Sequence, residues 1–554
     1  MVESSSSAAE KGAGQGYETP PAMQLQKRRR IDGLLVVGLV AVVIGSLIIV
    51  AHTASDAIRL PLFYDEMWRV DFIRSAQPVD RMLTHNTPVP IGFVWVFDLA
   101  TTAFSASAGA FRALSAACIV AFAGVVYLTL ARISTLPAKW GRPTPPGLVV
   151  AAATALALPM LWGFGMHYDF FNNYPFETLY LGLLVYFALE IERRGWAWWG
   201  FLILTALAPA TVLAPLFVLP VLLIRAFLWA NVQAKKRIVR LAQLAGAGLA
   251  AIAIGGATYL FIYEPVTAGG TVGTFWWEES LSGGLGDLPA RAGQWWDGMA
   301  MQLVHPGLFD GGVRTLVGAI AVVGFAVGAA EIGRRWPWYL LSIVSGLTLT
   351  IPAALFFGWP VTAVRTNLAV VAMIYVVVLF GVFRSVEMLL AARGTRNRWL
   401  LLVPFALILL ALWPPRTPPW EHLEGRTAAF SRGLDADIEL IADSPSDNNL
   451  VLTYHYMSHF YADDTLINTD RGDRDFIIVG ETQSNASEVF EDVDRLIAEH
   501  LKPGGYLWCV KPFNIGPEGF DASCKFEAAG LVERVRVRGT EAEISGYEMM
   551  WPST

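Results

Sequence analysis

Long apolar runs, separated by short polar stretches, organise the first three quarters of the chain. A run of roughly 20 apolar residues is enough to cross a bilayer as a helix. Such runs lie at 33–51, 110–131, 148–166, 176–191, 197–210, 212–230, 241–263, 313–331, 337–357, 364–383 and 399–413. They predict a polytopic α-helical membrane protein of about eleven spans. The fifth and the last are short. The 197–230 run can also be read as one long tilted helix, which would invert everything downstream. A further apolar stretch, PIGFVWVFDLATTAF at 90–104, is short and carries Asp98. It reads as an amphipathic helix lying in the membrane interface. A second juxtamembrane helix is expected at about 65–77, with HNTPVP between the two.

The pattern changes at WPPRTPPWEH. Beyond it, NLVLTYH and DFIIVGE read as buried strands and SEVFEDVDRLIAEHL as an amphipathic helix. KPGG then stops that helix and YLWCV follows as a strand. Residues 414–554 are therefore expected to form a small α/β domain. Residues 1–30 are rich in Ser, Ala, Gly and Gln, have no apolar run, and read as a disordered cytoplasmic tail. The KRRR at Lys27–Arg30 reads as a cytoplasmic anchor for the first span of a membrane domain over 31–413.

Charge fixes the expected orientation. Arg132, Lys139, Arg142, Arg193, Arg194, Arg225, Lys235, Lys236, Arg237, Arg240, Arg334, Arg335, Arg384, Arg393, Arg396 and Arg398 fall in alternate loops. The loop 264–312 between them holds Arg291 as its one basic residue, beside Glu264, Glu278, Glu279, Asp287, Asp297 and Asp310. By the positive-inside rule the first outer loop (52–109), the long loop 264–312 and the C-terminal domain lie outside the cytoplasm. Of the 554 residues, 16% are charged and 54% apolar, against about 25% charged in a soluble domain. Most of the chain therefore sits among membrane lipids. A net charge of −6 gives a nucleic-acid partner no electrostatic support. Cys118 reads as a small core residue. Cys509 and Cys524 could pair as a disulfide in an oxidising compartment.

Chemistry-bearing residues gather at the outer ends of the apolar runs. LPLFYDEMWRVDFIR sets Asp65 and Glu66 side by side among aromatic residues, just past the first run. Isolated acids are common at an interface. Two adjacent acids in a loop that folds back on the membrane are better explained by function. His85 and Asn86 lie in THNTPVP, where a plain turn is the alternative. GMHYDFFNNYPFE concentrates His167, Tyr168, Asp169, Asn172, Asn173, Tyr174 and Glu177 at one mouth; a hairpin turn accounts for the asparagines but less well for the rest. Arg365 stands where the positive-inside rule predicts no arginine. It is either a snorkelling anchor or an anion-binding group, and the second reading is favoured. His305 is a lone histidine before PGLFDGG. No extended acidic metal motif is present, so no metal is expected. A carboxylate can act as general base toward a hydroxyl, and an arginine can stabilise a departing phosphate.

These stretches resemble the GT-C glycosyltransferases, integral membrane enzymes that use polyprenyl-phosphate-linked sugars. The resemblance covers about residues 30–415. FYDEMWR resembles the acid motif of the family's first outer loop. THNTPVPIGFVWVF is similar to its HPPL-type stretch, with the adjacent prolines spread to Pro88 and Pro90. AFRALSAA, NNYPFETLYLGLLVYFAL and VRTNLAVVAMIYVV resemble the starts of later spans. The resemblance implies a GT-C-like transmembrane domain with an outer α/β domain. It implies Asp65 as catalytic base, Glu66 as supporting acid and Arg365 at the donor phosphate. His85, Asn86, His167, Tyr168, Asp169, Asn172, Asn173, Tyr174, Glu177 and His305 are expected to line the substrate site. The expected activity is an inverting transfer of mannose or arabinofuranose from a polyprenyl-phosphate donor. The acceptor would be a hydroxyl of a cell-envelope glycan, lipid or protein at the outer face of a bacterial plasma membrane. A transporter or flippase of lipid-linked sugars, and a non-catalytic membrane scaffold, are the alternatives.

Overall fold

The apolar runs fold as helices. The structure, a computed structural model, describes residues 21–54, 69, 73, 89–104, 108–140, 145–161, 172–265, 281, 284–294, 311–357, 359, 367–393, 402–413, 437–453, 475–480, 493–512, 531–538 and 542–550. In chain order the membrane-domain helices are α1 (Pro21–Ala54), α2 (Ile91–Phe104), α3 (Ala108–Thr135), α4 (Leu148–Ala157), α5 (Tyr174–Glu190) and α6 (Gly195–Thr211). They continue as α7 (Leu219–Val232), α8 (Arg237–Thr258), α9 (Gly311–Gly333), α10 (Trp338–Phe357), α11 (Leu368–Ala392) and α12 (Leu402–Ala411). Among the described residues six helices are long and apolar enough to cross a membrane: α1, α3, α8, α9, α10 and α11. Residues 21–30, expected to belong to a disordered tail, are the first turns of α1. Pro21 opens that helix, and the Ala, Met, Gln, Leu, Lys and Arg that follow are strong helix formers.

The 197–230 run is two helices. Pro209, Pro215 and Pro220 interrupt it, and each removes a backbone donor. The chain becomes extended at Val212, makes a 3-10 turn at Ala214–Phe217 and re-enters helix at Leu219. The 90–104 helix forms as expected, but it is apolar on both faces. Phe93, Val94 and Phe97 are buried, while Trp95, Val96 and Leu99 point outward alongside Asp98.

Exposed apolar side chains mark the surface that lipid covers. Val37, Val40, Ile44 and Ile48 on α1 face outward, as do Ile238, Leu249 and Ile252 on α8. A water-facing surface does not sustain apolar patches of this extent. α11 is the central element, with every residue from Leu368 to Gly381 buried. It packs against α9 at backbone distance. A Cβ on Gly324 would lie 2.7 Å from the Val378 carbonyl oxygen, and one on Gly328 would overlap that of Val377. The spacing of these two glycines is the small-residue pattern that lets membrane helices approach closely. Gly328→Leu is therefore expected to cost about 3 kcal/mol and to remove the monodisperse species in detergent size-exclusion chromatography. Gly246→Leu on α8, where an added Cβ meets nothing within 4 Å, is expected to be silent in the same assay.

The basic loops meet at one end of the bundle, where buried acids hold them. Glu190 pairs with Arg132 at 2.9 Å and Arg194 at 3.1 Å. Glu331 gathers Arg334, Arg335 and Arg384, and Arg384 also pairs with Glu387. Glu387 in turn accepts the Gly147 N–H at 3.0 Å. A buried charge survives when it is paired in this way.

The C-terminal segment is a five-stranded sheet with the helix α13 (Val493–His500). Its strands are β1 (Asn448–Thr453), β2 (Asp475–Gly480), β3 (Tyr506–Pro512), β4 (Leu531–Arg538) and β5 (Ala542–Met549). Their order in space is β2-β1-β3-β5-β4. β1 lies parallel to β2 and β3, whereas β5 is antiparallel to β3 and β4. The turn after α13 needs a left-handed residue, which Gly504 supplies at φ 82°. One apolar cluster joins Ile441, Val451, Trp508 and Val510 of this segment to Phe93, Phe97, Phe111 and Ile262 of the helical bundle. The sheet therefore packs at the end opposite the basic loops.

Candidate functional site

At that same end the helix break between α6 and α7 creates a demand for hydrogen bonds. Where a membrane helix is interrupted, its freed backbone groups must be satisfied by the protein. Glu177, in the first turn of α5, answers it: its Oε2 accepts the Ala214 N–H at 3.1 Å. Its Oε1 accepts from Asn173 Nδ2 at 2.7 Å. The Oδ1 of Asn173 faces the Arg69 guanidinium, with Nε and Nη2 each at 3.5 Å. Cζ of Arg69 also sits 5.9 Å from the centre of the Tyr174 ring, within cation–π range. Arg69, Asn173 and Glu177 are all buried. The result is a chain of contacts from a charged donor through an amide to a carboxylate, ending on the backbone of the break.

Local sequence explains how these residues come together. Pro175 opens α5, and Asn172 folds the turn ahead of it by accepting the Tyr174 N–H at 2.9 Å. That is a local side-chain-to-backbone turn of the kind asparagine makes readily. Residues 173 and 177 then share a helix face through the i, i+4 spacing. A second anchor binds the same break. The Phe217 carbonyl accepts from Ser345 Oγ at 2.6 Å, and the Phe217 ring meets Trp359 edge-on at 5.2 Å. Trp359 donates from Nε1 to Asn367 Oδ1 at 3.0 Å. Trp359 and Asn367 flank, in sequence, the stretch that carries Arg365.

Of the residues expected at the site, Asn172, Asn173, Tyr174 and Glu177 are brought together here. Asp65, Glu66, His85, Asn86, His167, Tyr168, Asp169, His305 and Arg365 lie outside the described residues, as does Cys524. Cys509 is in a disulfide. Among the described residues no group of three or more His, Cys, Asp or Glu side chains is arranged to hold a metal ion. Arg69 was not singled out from the sequence, although it stands four residues after Asp65. The available signal was an arginine in a loop that the charge pattern expects outside the cytoplasm, where the positive-inside rule predicts few. Arg112, in the first turns of α3, is buried at 1% exposure and carries the same signal.

Most of the chain aligns in three dimensions with ArnT from Cupriavidus metallidurans bound to undecaprenyl phosphate. The TM-score is 0.50 and the identity 13%, over 94% of this chain and 99% of that one. At this identity the likeness is one of fold: the chain shares the overall fold of that ArnT. The apo state of the same ArnT matches equally, with TM-score 0.50, 13% identity and the same coverage. The oligosaccharyltransferase of Archaeoglobus fulgidus in its apo form gives a TM-score of 0.41 at 13% identity, over 86% of this chain and 69% of that one. No known family matches the sequence itself, and no curated protein does. One apolar cluster links the bundle, α2 and the C-terminal sheet, and the Arg69–Asn173–Glu177 chain lies at that end.

Proposed function

We propose that this protein is an inverting glycosyltransferase that takes its sugar from a polyprenyl-phosphate donor. The observation that carries the reading is the buried Arg69–Asn173–Glu177 chain. It is built at the sheet-covered end of a GT-C fold and adjoins in sequence the Asp65–Glu66 pair. A flippase of lipid-linked sugars would need ionisable groups near the membrane midplane. The polar groups assembled here sit at a helix break at one end. The ArnT that shares the fold is a structure bound to undecaprenyl phosphate, which supports a lipid-linked donor. The basic loops at the opposite end support a cytoplasmic location for that end and an outer location for the site.

In this reading Asp65 removes the proton from the acceptor hydroxyl. The freed oxygen attacks the anomeric carbon from the face opposite the phosphate. The C1–O bond breaks, its electron pair leaves with the polyprenyl phosphate, and the configuration inverts. Arg365 neutralises the charge that gathers on the leaving phosphate. Glu66, His85, Asn86, His167, Tyr168, Asp169 and His305 complete the walls with Asn172, Asn173 and Tyr174. Glu177 positions Asn173, and through it Arg69. Mannose or arabinofuranose is the sugar and a cell-envelope hydroxyl the acceptor, in a bacterial plasma membrane.

The test is a panel of labelled polyprenyl-phospho-sugars offered to the reconstituted protein, with native membranes supplying acceptors. One donor is expected to be turned over. Arg365→Ala is expected to raise the KM for that donor by roughly tenfold to a hundredfold, the worth of one charge-assisted contact. An unchanged KM would remove Arg365 from the donor site.

A further inference from the structure

Helices α5 to α8 carry the Arg69 site at one end and an open cavity of about 440 Å³ at the other. α5 alone, at 17 residues and about 1.5 Å per residue, sets the two roughly 25 Å apart. The cavity falls within the usual range for ligand sites, about 300–1,000 Å³. Its charge is one-sided: Arg193, Arg194, Lys235, Lys236 and Arg240 line it, with Glu192 as the one acid. Glu192 is occupied by Arg225, and Glu190 behind it by Arg132 and Arg194. Among the described residues Arg193, Lys235, Lys236 and Arg240 make no ion pair. Arg240 instead lies over the rings of Trp198 and Trp229, at 5.0 and 4.6 Å. That holds its guanidinium in place without neutralising it.

The cavity does not open to water alone. Trp196, Trp199, Val232 and Ile238 beside it are exposed, and they continue the lipid-facing belt of α6 to α8. A ligand that fits must therefore be anionic at its head and apolar behind it. Basic recesses between helix ends at the membrane surface suit lipid phosphates. We propose that this cavity binds the phosphate headgroup of an anionic glycerophospholipid from the leaflet it faces. Lys235, Lys236, Arg193 and Arg240 surround the phosphate, and the acyl chains run along Val232 and Ile238. The site is separate from the donor site proposed above, at the other end of the same four helices.

Native mass spectrometry of the full-length protein in detergent tests this, with phosphatidylglycerol and phosphatidylcholine titrated together. The wild type is expected to retain phosphatidylglycerol in preference to phosphatidylcholine. Lys235 and Lys236 are exposed, so the double variant Lys235→Gln/Lys236→Gln keeps its fold, which an unchanged Tm verifies. Its affinity for phosphatidylglycerol is expected to fall roughly thirtyfold, from the loss of two juxtamembrane charges. The control Lys139→Gln/Arg393→Gln removes two exposed charges elsewhere and is expected to leave binding unchanged. Equal retention of the two lipids by the wild type, or equal weakening in the two double variants, would overturn the proposal. Displacement of the lipid by millimolar inorganic phosphate would show a soluble-phosphate site and overturn it as well.

Discussion

Asp65→Asn is expected to reduce sugar transfer at least about a thousandfold, within the range for loss of a general base. The substitution keeps size and polarity but removes the capacity to accept a proton. Donor affinity should therefore stay within a factor of a few, because the base acts on the acceptor. The loss should appear in kcat and spare the donor KM, the signature of an interaction made in the transition state. The measurement is initial-rate transfer from the donor found in the panel, beside equilibrium binding of that donor to both proteins. Full activity in the folded variant would move the base elsewhere, with Asp169 the next candidate.

The second large effect is on folding. Glu177→Ala leaves the Ala214 N–H and the Asn173 amide without acceptors and removes the carboxylate that faces the Arg69 side of the network. Breaking a buried charged network in this way costs about 3 kcal/mol or more. Glu177→Gln retains one acceptor and should cost less, about 1–2 kcal/mol. Thermal unfolding in detergent should place both variants below wild type in that order, with Asp65→Asn at the wild-type Tm. An unchanged Tm for Glu177→Ala would mean that the helix break does not depend on this carboxylate. The two variants thus separate the base from the frame that holds it.

Much of the helical architecture was legible because span length and apolar continuity are local properties. The ends of α11 show where that reading stops. The sequence suggests a span over 364–383, ended by Arg384, whereas the helix runs from Leu368 to Ala392. Arg384 and Glu387 look like solvated loop residues until Glu331 and Gly147 are brought beside them. The 197–230 run forms two helices, in line with the two spans read at 197–210 and 212–230, but what satisfies the break between them was not legible. Its prolines are visible, but the carboxylate that makes a break affordable lies 37 residues upstream in Glu177. In the C-terminal segment the strand YLWCV at 506–510 and the glycine stop of the helix before it were readable from periodicity and turn chemistry. The antiparallel insertion of β5 between β3 and β4 was not, because strand order is set by long-range pairing. At the site, Asn172 turned out to serve its own turn, while Asn173 reaches a residue 104 positions away. Neighbouring asparagines of identical composition cannot be told apart without that partner.

The most direct test of the glycosyltransferase reading is the fate of both halves of the donor in proteoliposomes. Labelled polyprenyl-phospho-sugar is supplied on one leaflet with an acceptor extract, and the products are resolved by chromatography and proton NMR of the anomeric position. The expected result is free polyprenyl phosphate released one-for-one with sugar on the acceptor, in the inverted configuration, and loss of both products with Asp65→Asn. Intact donor moved to the opposite leaflet, with the sugar still attached and no free polyprenyl phosphate, would contradict it and make the protein a transporter.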